Sequence, residues 1–446
     1  MRLSEQEHIA PISPKHDGLL SHLAAAQRLR LPSGDACIRF AVTGTDSSGY
    51  QYEIGVLSDR TGNREPDSLF QVRQRAVENT GAFNAALIVP TGIGAEIGGH
   101  AGDATPIVRL LAQCCDTVIT HPNVVNASDI NEMTDNTLYV EGSVLSRLLM
   151  GMIGLQRVRA NRVLTIIDAH VDQLFENAAV NAVSAARATL GLTGSRVVRM
   201  DPPLKMTATY TASGRAAGEV HEFERICRVL DDYEGQYDAV AIASVIDVPE
   251  EYHRQYFGAG GEMVNPWGGV EALLTHAISS LYNVPSAHSP MLESREISSA
   301  DMGEVEPRLA AEAISLAFLH CALKGLHRSP RIVTDADAMR LPEVMTAEDV
   351  SCLVIPDKCL GLPTLAALEQ GIPVIAVREN ENLMKNDLTA LPWQEGQFFL
   401  VDNYWEAVGV LNALKAGIDP RSVRRPMRAT VVETTGSTDE TDVLTA

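Results

Sequence analysis

The strongest constraint on the fold is a recurrence of short, unbroken apolar runs, each stopped by turn residues and most followed by a helical pattern. The runs cover residues 85–89, 117–120, 163–167, 239–244, 352–355 and 373–377. Helical periodicity follows at 105–113, 171–190, 219–230, 270–281, 307–324 and 363–369. A strand with no polar alternation is buried on both faces, as parallel strands are when helices cover both sides of their sheet. The expected class is therefore α/β, with two Rossmann-like lobes of mainly parallel sheet and an interlobe cleft. In such folds ligands bind in the loops beyond the carboxyl ends of the strands.

The divisions expected are an N-terminal extension over 1–35, a first α/β domain with a glycine-rich loop over 36–190, and a second over 191–425. A disordered acidic tail is expected over 426–446. The boundary near 191 rests on GLTGSRVVRMDPPLKMTATYTASGRAAG, which lacks clear periodicity. No repeat of fixed period occurs, which argues against solenoids and propellers.

Composition narrows the ligand. Against 36 Lys and Arg stand 57 Asp and Glu, a formal charge of −21. That balance speaks against a broad surface for nucleic acid or acidic lipid, and 5% aromatic residues against stacking on single strands. No apolar run reaches the length of a membrane span, and the first thirty residues carry charges throughout, so a cytoplasmic chain is expected. Seven cysteines without CxxC spacing suit reduced thiols. The partner expected is a small molecule. VLSRLLMGMIGL, 144–155, suits either a homo-oligomer surface or a buried helix, and burial is the expectation.

Three loops concentrate chemistry. In AALIVPTGIGAEIGGHAGDATPIVRLLAQCCD, an apolar strand meets Gly92, Gly94, Gly98, Gly99 and Gly102 before a helix opens near Pro106. Clustered glycines allow close backbone approach, and a helix start offers free N–H groups, so this loop with His100 is a candidate anion cradle. The equally simple alternative is a tight connection whose glycines serve packing. The next loop, HPNVVNASDINEM, places His121, Asn123 and Asn126 at a strand end, where they can orient a substrate. The third supplies Asp168 and His170, a candidate carboxylate–imidazole pair for general-base work. His100, His121, Asp168 and His170 carry metal-ligating types, but without the spacing of a known motif; no metal is assigned, and the sequence names no cofactor.

In the second half, NPWGG offers Asn265 and a Trp267 wall, with Glu262 and Glu271 nearby; His288 and Glu293 are an acid–base pair by type. PDKCLGLPTLAALEQGIPVIAV forms a complete strand, loop, helix and strand, with Lys358 placed for a carboxylate or phosphate and Cys359 a candidate nucleophile.

VPTGIGAEIGGHAGDA, HPNVVNASDINEM, NPWGGVEA and PDKCLGLPTLAALEQGIPVIAVREN together resemble a family of bacterial and plant proteins catalogued as a conserved domain of unknown function, over roughly residues 36–425. That resemblance implies no activity. GLPTLAALEQGIPVIAV is also similar to the donor-binding unit of two-domain Rossmann-like glycosyltransferases and nucleotide-sugar epimerases, and IGGHAGDATPIVRLLA to the loop and helix of their acceptor domain. This second likeness implies a sugar nucleotide whose ribose is held by Glu369.

The expectation is an enzyme, a lyase, hydrolase or isomerase, working by acid–base chemistry on a small polar anion. His121 or His170 moves protons, Asp168 orients the imidazole, and the 92–102 backbone with Lys358 holds the anion. A nucleotide-sugar glycosyltransferase or epimerase is the second reading, and a non-catalytic sensor or scaffold the third.

Overall fold

The apolar runs become the strands of two wholly parallel sheets in a computed structural model of the chain, which describes residues 1–12, 18–60, 64–300, 302–314, 318–427 and 429–432. The larger sheet has six strands in the order Phe398–Val401, Val374–Val377, Cys352–Pro356, Asn84–Leu87, Thr117–Thr120 and Thr137–Tyr139. The smaller has four, ordered Thr193–Met200, Arg162–Asp168, Ala239–Ser244 and Ser286–Pro290. Each sheet joins strands from both sides of residue 191. Asn84–Leu87 pairs with Cys352–Pro356, and Arg162–Asp168 with Thr193–Met200.

The alternation hidden inside an apolar run is one between two cores. Leu164 and Ile166 point into a cluster with Leu3, Leu57 and Val220, whereas Val163 and Ile167 join the larger cluster around the six-stranded sheet. Both faces are buried, so neither needs polar residues. Each fully buried Leu or Ile contributes about 1.5–3 kcal/mol.

A third sheet, antiparallel, runs Lys205–Tyr210, Ala216–His221, Arg2–Ala10, Gly49–Ser58, Ala36–Asp46 and Leu360–Gly361. The fold is thus mixed α/β, with parallel and antiparallel sheets. The first residues are an interior strand, paired from Arg2 opposite Ser58 to Ala10 opposite Tyr50. Its charged side chains are matched across the sheet: Glu5 bonds Arg39, Arg2 bonds Glu219, and Glu7 lies 3.4 Å from the buried Arg215 guanidinium.

Two helical expectations change. Residues 219–230 divide, because Ala216–His221 extends as a strand and Glu222, with φ of 55°, turns the chain into the helix Glu224–Asp232. The 307–324 pattern becomes Pro307–Ala313 and Leu319–His327. The 144–155 stretch is buried, with the helix Gly142–Leu149 packed inside. Of the 426–446 tail, residues 428 and 433–446 lie outside the described ones.

The helix Gly268–Tyr282 fixes the site. A Cβ on Gly218 would fall 2.0 Å from Val270 Cγ2, and one on Gly269 2.6 Å from the Ala216 backbone. Helix and antiparallel sheet therefore meet backbone to backbone, which sets the depth of the side chains that follow.

Candidate functional site

A cavity of about 600 Å³ lies beyond the carboxyl ends of strands from both parallel sheets. His121 follows Thr117–Thr120, Glu141 follows Thr137–Tyr139, and His288 sits late in Ser286–Pro290. The helix Gly268–Tyr282 contributes Glu271, Ala272, Thr275 and His276, successive turns of one wall. Residues 253, 254 and 257, with 290–293, 296–298, 300, 302, 312–314 and 318, close the remainder.

The most developed group is Glu141 with His276. Glu141 caps the helix Gly142–Leu149 by accepting from Ser143 N at 3.0 Å, and also accepts from the Ser143 hydroxyl. His276 Nδ1 lies 2.6 Å from Glu141 Oε1, the carboxylate being 2% exposed and the imidazole 17%. Burial pushes the Glu141 carboxyl up, but His276 and the Ser143 donors outweigh it, so the group is held below the ordinary carboxylate range. An ionised acid therefore lies at ion-pair distance from one ring nitrogen, which is not aligned for a hydrogen bond, and His276 Nε2 has no hydrogen-bond partner among the described residues. A carboxylate set beside one imidazole nitrogen is an arrangement that can orient a general base.

His121 is different in kind. Its Nε2 accepts the Val89 N–H at 3.1 Å, which places the proton of the neutral ring on Nδ1. Burial lowers its pKa to about 4. A neutral imidazole is a hydrogen-bond donor, suited to polarising a substrate oxygen. We expect nitrogen-15 NMR to find the Nδ1–H tautomer with no protonation above about pH 5; a charged ring at neutral pH contradicts this placement.

Glu271, His288 and Ser244 form a row: Glu271 Oε1 is 2.9 Å from His288 Nδ1, and His288 Nε2 is 2.8 Å from Ser244 Oγ. The row has the order of a Ser–His–acid triad, but Ser244 has no exposed surface and does not line the cavity. Ser244 and His288 instead hold Glu271, whose carboxylate faces the cavity. A third pair joins His253 Nε2 to Glu293 Oε1 at 3.1 Å. Glu312 accepts from Ala101 N and from Asn265 Nδ2, and burial pushes its carboxyl up to about 7.

Of the residues singled out from sequence, His121, Asn123, Asn126, Asn265, Trp267, Glu271, His288 and Glu293 line this cavity. Asn123 donates to Gly98 O at 2.7 Å, Asn126 to Tyr139 Oη at 2.7 Å, and Asn265 Oδ1 accepts from Trp267 N. His100 lies behind them, 2.8 Å from Tyr256 Oη. Asp168 and His170 are not brought together. Asp168 accepts from Leu204 N and is pushed up to about 7 by burial, while His170 has Nε2 3.1 Å from Leu292 O and Nδ1 accepting from Asp172 N.

The glycines meet protein. A Cβ on Gly98 would reach Val89 at 2.9 Å, on Gly99 the Ala95 carbonyl at 2.0 Å, on Gly102 Ala127 at 2.3 Å and on Gly92 Ala216 at 3.1 Å; on Gly94 it would meet Val264 at 3.0 Å. Lys358 is exposed at a positive φ and lies outside the lining, and burial pushes the Cys359 thiol well above its ordinary value. Among the described residues no three His, Cys, Asp or Glu side chains are gathered to hold a metal, and no helix is long and apolar enough to cross a membrane.

Sequence reasoning missed Glu141 and His276 altogether and paired His288 with Glu293 instead of Glu271. One signal was present: GGVEALLTHAISSLY is an apolar helix interrupted by Glu271, Thr275 and His276, and polar groups inside a buried helix need partners.

A family model described as "Protein of unknown function (DUF3326)" matches residues 84–424, which contain the whole cavity wall. A protein of Synechococcus sp. named as an uncharacterized lipoprotein is 36% identical over 348 residues, covering 77% of this chain and 93% of the relative. No solved structure matches. The relative's name corrects the cytoplasmic expectation: a lipoprotein is held at a membrane by its lipid, and charges along residues 1–30 were too little to assign a compartment.

Proposed function

This chain belongs to that family of unknown function, and we propose that it is an acid–base enzyme, a lyase, hydrolase or isomerase, acting on a small molecule in the cavity. The observation carrying the reading is His276, a lining residue whose Nδ1 lies 2.6 Å from the buried Glu141 carboxylate. In this reading His276 removes or returns a proton at Nε2. His121 donates from Nδ1 to a substrate oxygen, and Glu312, at about 7, supplies or accepts the second proton. Groups whose surroundings drive their proton affinities apart are the usual basis of acid and base roles in one site. That separation favours catalysis over a passive sensor.

We read the two parallel sheets as Rossmann-like lobes and the cavity as the cleft between them. Its wall modifies the expected substrate. Glu141, Glu271, Glu293 and Glu296 line it, with Glu312 about half protonated at pH 7, and Arg254 is the one Arg or Lys among the described lining residues. Such a wall suits a neutral or cationic molecule better than the anion expected from the glycine-rich loop. No residue between 352 and 380 lines the cavity, which disfavours the sugar-nucleotide reading. Likeness to a protein named as a lipoprotein supports work at a membrane surface.

The test is incubation of the protein with a complex small-molecule extract in D2O or oxygen-18 water, read by mass spectrometry. Compounds that gain solvent label or change mass with the parent protein, but not with His276→Gln, are the expected result. Identical spectra for the two proteins would remove the proposal.

A further inference from the structure

The cavity changes character from its floor to its mouth. The polar groups are deep: residues His121 and Glu141 are 5% and 3% exposed. Met291, Leu292, Ile297, Met302, Ile314 and Phe318 come from one stretch of chain and supply apolar wall, and Ile314 and Met302 are 73% and 37% exposed. Exposed apolar side chains that also line a cavity mark its rim, where a hydrocarbon segment of a ligand passes out. Glu296 and Arg254 are both exposed lining residues, one of each sign, so discrimination against an anion falls to the floor, where Glu141 lies.

We infer that the substrate is an amphiphile with an uncharged or cationic head and a hydrocarbon chain, its head at His276 and its chain running out past Met302 and Ile314. This rests on the acid–base reading of the same cavity and names the substrate class. Chemically the head is an alcohol, ester, amide or amine. Carboxylate and phosphate heads are turned away by the glutamates. Each methylene taken from water strengthens binding about fourfold, so affinity follows chain length until the chain clears the rim.

Trp267 lines the cavity and reports occupancy through its fluorescence, with Trp267→Phe identifying the signal. The full chain is titrated at neutral pH with octanol, decanol, decylamine, decanoate and decyl phosphate, below their micellar concentrations. Decanol is expected to bind about tenfold more tightly than octanol, decylamine at least as well as decanol, and decyl phosphate at least about tenfold more weakly. Ala272→Phe, which narrows the cavity without adding a tryptophan, is expected to weaken the response, and Ile314→Asp, at an exposed position on the rim, to weaken it about tenfold. Equal affinity for octanol and decanol, or decyl phosphate binding as well as decanol, overturns the inference. If that happens while His276→Gln still removes solvent labelling in the extract, the amphiphile falls and the acid–base reading stands.

Discussion

Glu141→Gln is expected to lower conversion by about 10²–10⁴-fold in a protein that still folds cooperatively. The carboxamide is nearly the shape of the carboxylate, and its oxygen still accepts the Ser143 N–H that caps the helix Gly142–Leu149. What disappears is the charge 2.6 Å from His276 Nδ1. In the proposed reaction that charge would favour Nε2 as the basic nitrogen and stabilise the imidazolium formed when a proton arrives. A carboxamide can also present its NH2 to the ring and fix the opposite tautomer. The rate of labelling for any compound found with the parent protein measures the effect, with the melting transition as the folding control. A loss under about threefold would mean that Glu141 is only a helix cap.

Glu312→Gln is expected to become more stable relative to the parent by about 3 kcal/mol between pH 4.5 and about pH 8. Burial raises the Glu312 carboxyl from 4.5 to about 7, so the folded chain holds this proton more tightly than the unfolded chain does. The resulting stabilisation is complete below pH 4.5 and is lost as pH rises through 7. Asp103 and Asp168, also pushed up to about 7 by burial, act in the same direction. His121 acts in the other: its pKa is lowered to about 4, so its stabilisation is present above 6.5 and lost as pH falls through 4. Glutamine does not titrate and can still accept from Ala101 N, so the variant isolates the contribution of Glu312. Denaturant unfolding of both proteins at the two pH values gives the difference. The same difference at both values would show that Glu312 ionises as an exposed glutamate does.

The parallel sheets were legible because apolar runs without alternation have few other uses. Two expected strands, Thr117–Thr120 and Ala239–Ser244, coincide with the observed ones, and the helix start at Thr105 was marked by Pro106. The antiparallel sheet was not legible. Arg2–Ala10 and Lys205–Tyr210 carry polar side chains that neighbouring strands satisfy with ion pairs and partial cover, so hydrophobicity alone reads them as loop. The loop after Thr117–Thr120 places His121, Asn123 and Asn126 in the cavity wall, whereas Asp168 and His170, after another strand, lie outside it. The pairs Glu141 with His276 and Glu271 with His288 were out of reach because each joins distant segments through the packing of one helix. The glycine-rich loop invited an anion-binding reading, yet the close contacts its glycines permit are with Val89, Ala95 and Ala127. Glycines serve close approach, and a sequence does not say whether the approaching atom belongs to ligand or protein.

Solvent labelling of a small-molecule extract by the parent protein, His276→Gln and Glu141→Gln decides whether His276 and Glu141 move protons together. The account predicts a small set of compounds that take up deuterium or oxygen-18 with the parent, are unlabelled with His276→Gln, and label about 10²–10⁴-fold more slowly with Glu141→Gln. Labelling that proceeds equally in all three proteins, or in none, would contradict it.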